Sequence, residues 1–149
     1  MNLTINILDI DPQIIDNMPC YEGEIKIKES NGLEYIENFI LSVEYWSKNE
    51  YKRQWKEGLE RIKRQDTSCL ITSIQDPEKA PYIEMWVLFR DKKNKKIYIR
   101  NRMLLAEDLD RKTVTPHNCY DLIKPRGEKN FIDEDGNNIE VSEWEIDLE

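Results

Sequence analysis

His117 is the only histidine in the 149 residues, so any imidazole-based mechanism has to run through it. Cys119 and Asp121 stand close by in sequence, and a Cys–His or Ser–His–acid arrangement needs its base within hydrogen-bond reach of the nucleophile. Side chains two residues apart share a face when the segment is extended. Catalytic groups, however, normally converge on a cleft from separate elements, and packing of a loop is the plainer role for this pair. Metal chemistry finds as little support. Cys20, Cys69 and Cys119 are far apart in the chain, and with one histidine they propose no zinc site. Asp133-Glu134-Asp135-Gly136-Asn137 sets oxygen ligands beside a glycine but lacks the calcium-loop pattern. There is neither a phosphate-cradling glycine loop nor a dinucleotide fingerprint, so no cofactor is expected.

Charge is the more informative chemistry. From Asp133 to Glu149 eight residues are acidic and none is Lys or Arg. If that stretch is an ordered strand, Glu140, Glu143, Glu145 and Asp147 project from a rigid platform suited to the Arg and Lys of a basic protein. The same acids would also shield a sheet edge from an incoming strand, and the two roles are compatible. Arg100 and Arg102 fall on one side of an expected strand, where they make either a solvated outer face or a ridge that binds an anion or carboxylate. Lys92, Lys93, Lys95 and Lys96 read as a basic turn; without interleaved aromatics they are a weak nucleic-acid signature.

The formal net charge of -8 argues against non-specific nucleic-acid binding, which rests on neutralising phosphates, and it suits a basic partner as well as plain solubility. The length fits one domain, and no linker or repeat divides residues 1–149. An odd number of widely spaced cysteines favours a reducing compartment. Asp9 and Asp11 stand where a leader would be basic, and no run of eighteen apolar residues occurs, so the cytoplasm is the expected location and no membrane contact is expected.

The elements that must position these groups are unevenly marked. Leu3, Ile5 and Ile7 alternate, as do the residues of Glu24-Ile25-Lys26-Ile27-Lys28, so the first 32 residues read as a strand or hairpin assembly. Leu33 to Trp46 carries both helical and strand periodicities, and pattern alone does not decide between them; Asn38 to Tyr45, rich in β-branched and aromatic types, leans toward a strand. Ser47 three residues before Glu50 is a capping box, and Tyr51, Trp55, Leu59 and Ile62 then recur at helical spacing, so residues 48–64 form an amphipathic helix. Gly58 costs that helix about 1 kcal/mol relative to Ala unless close packing requires it.

Residues 68–74 read as a strand ended by Asp76-Pro77 and Pro81, and Tyr82–Arg90 with Lys96–Leu105 as an antiparallel hairpin. Residues 106–138 read as mostly irregular, with a short helical turn near Cys119 and Tyr120. Ile139 to Leu148 reads as a terminal strand. A bulge near Ser142 would turn Ile139, Val141, Trp144, Ile146 and Leu148 inward and the acids outward. The fold class is therefore α+β, a mainly antiparallel sheet packed on one amphipathic helix.

Several runs carry a resemblance. Tyr45-Trp46-Ser47, Tyr51 to Ile62, Ser68 to Pro77, Trp86, Tyr98-Ile99-Arg100-Asn101-Arg102, Pro125-Arg126 and Ser142-Glu143-Trp144 together resemble the immunity proteins of bacterial contact-dependent growth inhibition systems, over about residues 38–148. The resemblance implies a small cytoplasmic inhibitor that binds the C-terminal domain of its cognate toxin, often a basic nuclease, and blocks its active site or substrate access. The motifs are scaffold-like and locate no site. The competing reading is a small carboxylate-dependent enzyme or nucleotide-binding domain, which requires a concave pocket of converging polar groups with perturbed titration.

Overall fold

The computed structural model describes residues 1–76, 82–105 and 113–149. The Pro77–Pro81 strand terminator and residues 106–112 of the expected irregular region lie outside the described residues. The alternating N-terminal residues build one sheet. β1 (Leu3–Ile7) and β2 (Gln13–Ile15) pair with successive parts of one side of the long β3 (Met18–Lys28), and β4 (Glu34–Ser42) pairs along its other side, all antiparallel. Asp16 and Asn17 both take positive φ in the two-residue connection from β2 to β3, the conformation that a tight hairpin needs and that Asp and Asn tolerate. The alternation read from sequence holds: Leu3, Ile25, Ile27, Phe39 and Leu41 are buried on one side, while Glu34, Ile36, Asn38 and Ile40 face out.

The second sheet runs β10 (Trp144–Asp147), β7 (Lys96–Leu105), β6 (Tyr82–Asp91), β5 (Thr67–Ile74), again antiparallel. The two sheets share one core. Tyr35 of β4 lies 4.7 Å from Trp144 and 6.5 Å from Trp86, ring centre to ring centre, and Ser30 N donates to Glu145 O at 2.9 Å. The far side of β5 is covered by the 3-10 turn Cys119–Leu122, so most of β5 and β6 is buried on both faces.

The helix α1 spans Lys48–Ile62, two residues shorter than the spacing predicts. Its capping box is formed: Ser47 Oγ accepts from Glu50 N at 3.2 Å, and Glu50 Oε1 accepts from Ser47 N at 3.1 Å. The helix lies along the outer edge of β5, where, among the described residues, the strand backbone has no neighbouring strand. Gln54 completes that edge, with Nε2 donating to Cys69 O and Oε1 accepting from Ile71 N, each at 2.7 Å. Trp55 Nε1 donates to Ile71 O at 2.7 Å, Arg61 Nε to Thr67 O at 3.1 Å, and Tyr51 Oη accepts from Ile74 N at 3.1 Å. So close an approach needs Gly58, because a Cβ there would stand 2.4 Å from Cys69 O.

The terminal segment departs from the expected single strand. Residues 138–148 divide into β9 (Asn138–Glu140), which pairs with β8 (Asn130–Ile132) in a separate hairpin, and β10, which pairs with β7. Residues 141–143 cross between the two, so a break stands where a bulge was expected.

Candidate functional site

Arg100 and Arg102 do not form a solvated outer face; the carboxylate-binding alternative holds for Arg100, whose carboxylate is the chain's own Glu143. Arg100 is 2% exposed. Its guanidinium donates to the carbonyls of Arg126 and Gly127, and Arg102 donates to those of Lys124 at 3.0 Å, Pro125 at 3.1 Å and Arg126 at 2.9 Å. A planar fork with five donors suits a row of carbonyls that no strand completes. The two arginines thus fasten residues 124–127 onto the face of β7.

Glu143 completes this clamp. Its Oε2 accepts from Arg100 Nε at 2.6 Å and Arg126 Nε at 3.0 Å, and its Oε1 accepts from Arg126 Nη2 at 2.6 Å. Arg126 in turn stacks 3.8 Å over the Tyr98 ring. Burial opposes ionisation of Glu143, but the hydrogen bonds and charges of Arg126 and Arg100 outweigh it and hold the carboxyl below its ordinary range. Its side chain is 7% exposed, so the expectation that Glu143 projects outward is corrected: it turns inward because two guanidinium groups wait there.

The other expected contact residues separate. Glu140 is exposed on β9, with Lys129 Nζ at 3.7 Å from Oε1. Asp147 Oδ1 accepts from Lys96 Nζ at 2.6 Å and from Ser30 Oγ at 3.0 Å, bonds that lower its pKa. Glu145 stands opposite Tyr98 in the sheet and is half-buried.

Glu140 and Glu143 meet in a groove of about 440 Å³, lined with Glu29, Lys129, Val141, Ser142 and Trp144; Glu145 and Asp147 are not among its lining residues. Glu29 and Lys129 enter from the turn after β3 and the stem of β8, contributions that spacing within the C-terminal stretch does not show. The exposed Phe131 and Ile132 on β8 are likewise unforeseen from sequence, since a three-residue strand carries too little periodicity to be seen.

The catalytic candidates part company. His117 is exposed, with Nδ1 2.8 Å from Glu57 Oε2 on α1, whereas Cys119 is fully buried with Sγ 4.0 Å from Cys69 Sγ. Acid–base work by a carboxyl at neutral pH favours a raised pKa. Glu143, in the groove, is shifted the other way, and Glu84, which burial raises, does not line the groove. Among the described residues no cluster of three or more His, Cys, Asp or Glu could hold a metal ion, and no helix is long and apolar enough to cross a membrane.

A sequence model of the CdiI N-terminal domain family matches residues 41–149. The chain belongs to the CdiI immunity-protein family. It is 30% identical over 129 residues to the immunity protein CdiI of Enterobacter cloacae, covering 85% of this chain and 83% of that one. In three dimensions it is similar to a chain of the CdiA-CT/CdiI toxin and immunity complex from Enterobacter cloacae, with a TM-score of 0.72 and 26% identity over 98% of this chain and 90% of that chain. The runs that carry the family resemblance mix internal and exposed residues, and several of the largest side chains in them are internal. Trp55 and Trp86 are core, and Arg100, Arg126 and Glu143 are the clamp. Of the groove's lining residues, only Ser142-Glu143-Trp144 belongs to those runs.

Proposed function

We propose that this chain binds the C-terminal toxin domain of its own contact-dependent growth inhibition system and neutralises it by covering the active site or substrate-binding surface. The observation that carries this reading is likeness over nearly the whole chain to a toxin and immunity complex, joined to membership of the CdiI family. Charge supports the finer part. A net charge of -8, with Glu29 and Glu140 open at the groove, suits a basic toxin, the kind of surface a nuclease uses on phosphates. On this reading residues 1–149 act as one unit in the cytoplasm by binding, not turnover, and contact neither nucleic acid nor membrane. A surface of about 800 Å² on each partner is sufficient.

The test is calorimetric titration of the full chain with the toxin domain encoded next to it, at low and moderate salt, alongside an assay of the toxin. One-to-one binding in the nanomolar range that abolishes toxin activity is the expected outcome, with weaker binding as salt rises. A folded, active toxin domain that the chain neither binds nor inhibits overturns the reading.

A further inference from the structure

The hairpin β8–β9 turns apolar side chains to solvent. Phe131 is 47% exposed and Ile132 69%, and among the described residues Phe131, Ile132 and Ile139 belong neither to the core nor to the layer packed on it. A two-stranded hairpin that buries so little is marginal in water. This one is held from outside its own strands. Arg100 and Arg102 fasten residues 124–127 before it, and Arg126 grips Glu143 after it. Its tip is fixed as well: Asp133 Oδ1 accepts from Asp135 N at 3.0 Å and Asn137 N at 2.8 Å, and Gly136 supplies the positive φ of 81°. The hairpin is thus preorganised without being buried, which lowers the ordering cost of contact.

We propose that this hairpin and the groove at its base dock the toxin domain, through a segment of the toxin that pairs an apolar residue with an Arg or Lys. This rests on the inhibitor reading above and places its contact. Strand alternation puts Ile132 and Glu140 on one face, with Asn130 and Asn138 beside them. The groove beneath is lined by Glu29 and Glu140 together with the partly buried Trp144, two carboxylates and an aromatic ring that suit a cation. Lys129 reaches Glu140 only at 3.7 Å, with both groups exposed, so a partner's cation displaces it at little cost. Glu143 is already neutralised by two arginines and acts as a positioning residue, not a contact. Another outward apolar pair, Ile36 and Ile40, sits on the outer face of the first sheet beside Lys26 and Glu22, charges of both signs, and offers no comparable attraction for a basic surface.

The experiment titrates the full chain with the toxin domain encoded next to it, comparing wild type, the double variant Phe131→Ser/Ile132→Ser, Glu140→Lys, and the control Ile36→Ser/Ile40→Ser. Circular dichroism checks each fold. The two hairpin variants are expected to bind about thirtyfold more weakly and the control within about twofold of wild type. Hydrogen exchange on the wild-type complex gives a reading that needs no variant, with the amides of residues 130–140 gaining protection. Wild-type binding and inhibition that survive in both hairpin variants, with no protection at 130–140, overturn this proposal and leave the inhibitor reading standing. A wild-type chain that does not bind the toxin overturns both.

Discussion

Among the described residues, the outer edge of β5 and the hairpin β8–β9 each present strand backbone that no neighbouring strand completes, and the chain treats them in opposite ways. Along β5, Tyr51, Gln54, Trp55 and Arg61 reach from α1 to occupy the edge groups one by one, and Gly58 lets the helix come close enough for them to do so. Along the hairpin the edges stay open among the described residues; its stems are fastened by Arg100, Arg102, Arg126 and Glu143 and its tip by Asp133. An edge strand is a template for unwanted pairing. The closed edge is therefore a stability device, while the open hairpin spends ionic bonds on being held still in water.

That contrast can be broken by substitution. Trp55→Ala removes both an inter-element aromatic and the donor to Ile71 O, and is expected to cost about 3–5 kcal/mol in urea unfolding, lowering Tm by roughly 10 °C. Glu143→Gln leaves Arg100 buried with half its partner, an expected loss of about 3 kcal/mol at neutral pH. The pH dependence follows from the lowered pKa. The stabilisation by Glu143 is present above its ordinary value of 4.5 and is lost as pH falls through its lower folded value, so the gap between wild type and the Gln variant closes in acid. Unfolding curves across that range check it, and a constant gap would show that the carboxylate charge is not what holds the stem.

Gly58→Ala sharpens the comparison from the other side. Alanine favours a helix by about 1 kcal/mol. Here the backbone oxygen of Cys69, 2.4 Å from the new Cβ, pushes α1 off the edge, and a net loss of about 2 kcal/mol is expected. A more stable variant would mean that the helix and β5 can separate without loss. The smallest effect belongs to the hairpin: Ile132→Ser is expected to change unfolding stability by less than about 0.5 kcal/mol. A larger loss would make the hairpin part of the core after all.

The same two regions show what sequence reading reaches. The helix was legible because its signals are local: Ser47 with Glu50, and four apolar residues at one spacing. The β6–β7 hairpin was legible for the same reason, as was the alternation in β1 and β3. The long-range pairings were not. Nothing near Arg100 in sequence says that residues 124–127 cover it, so an outer face was the natural assumption. Glu143 likewise reads as one acid among eight until Arg100 and Arg126 are brought to it from 43 and 17 residues away. Of the four acids picked as contacts, the structure keeps Glu140 fully outward, ties Asp147 to Lys96, half-buries Glu145 and encloses Glu143.

The clamp also separates what the chain must keep from what it is free to change. Between Asn130 and Glu140 no described side chain reaches the core, while the residues that hold the stems lie outside that stretch. Folding therefore sets few demands on the hairpin's own sequence. If the hairpin docks the toxin as proposed, its sequence can be rewritten with the scaffold beneath it undisturbed, and a new binding preference acquired without first acquiring new stability.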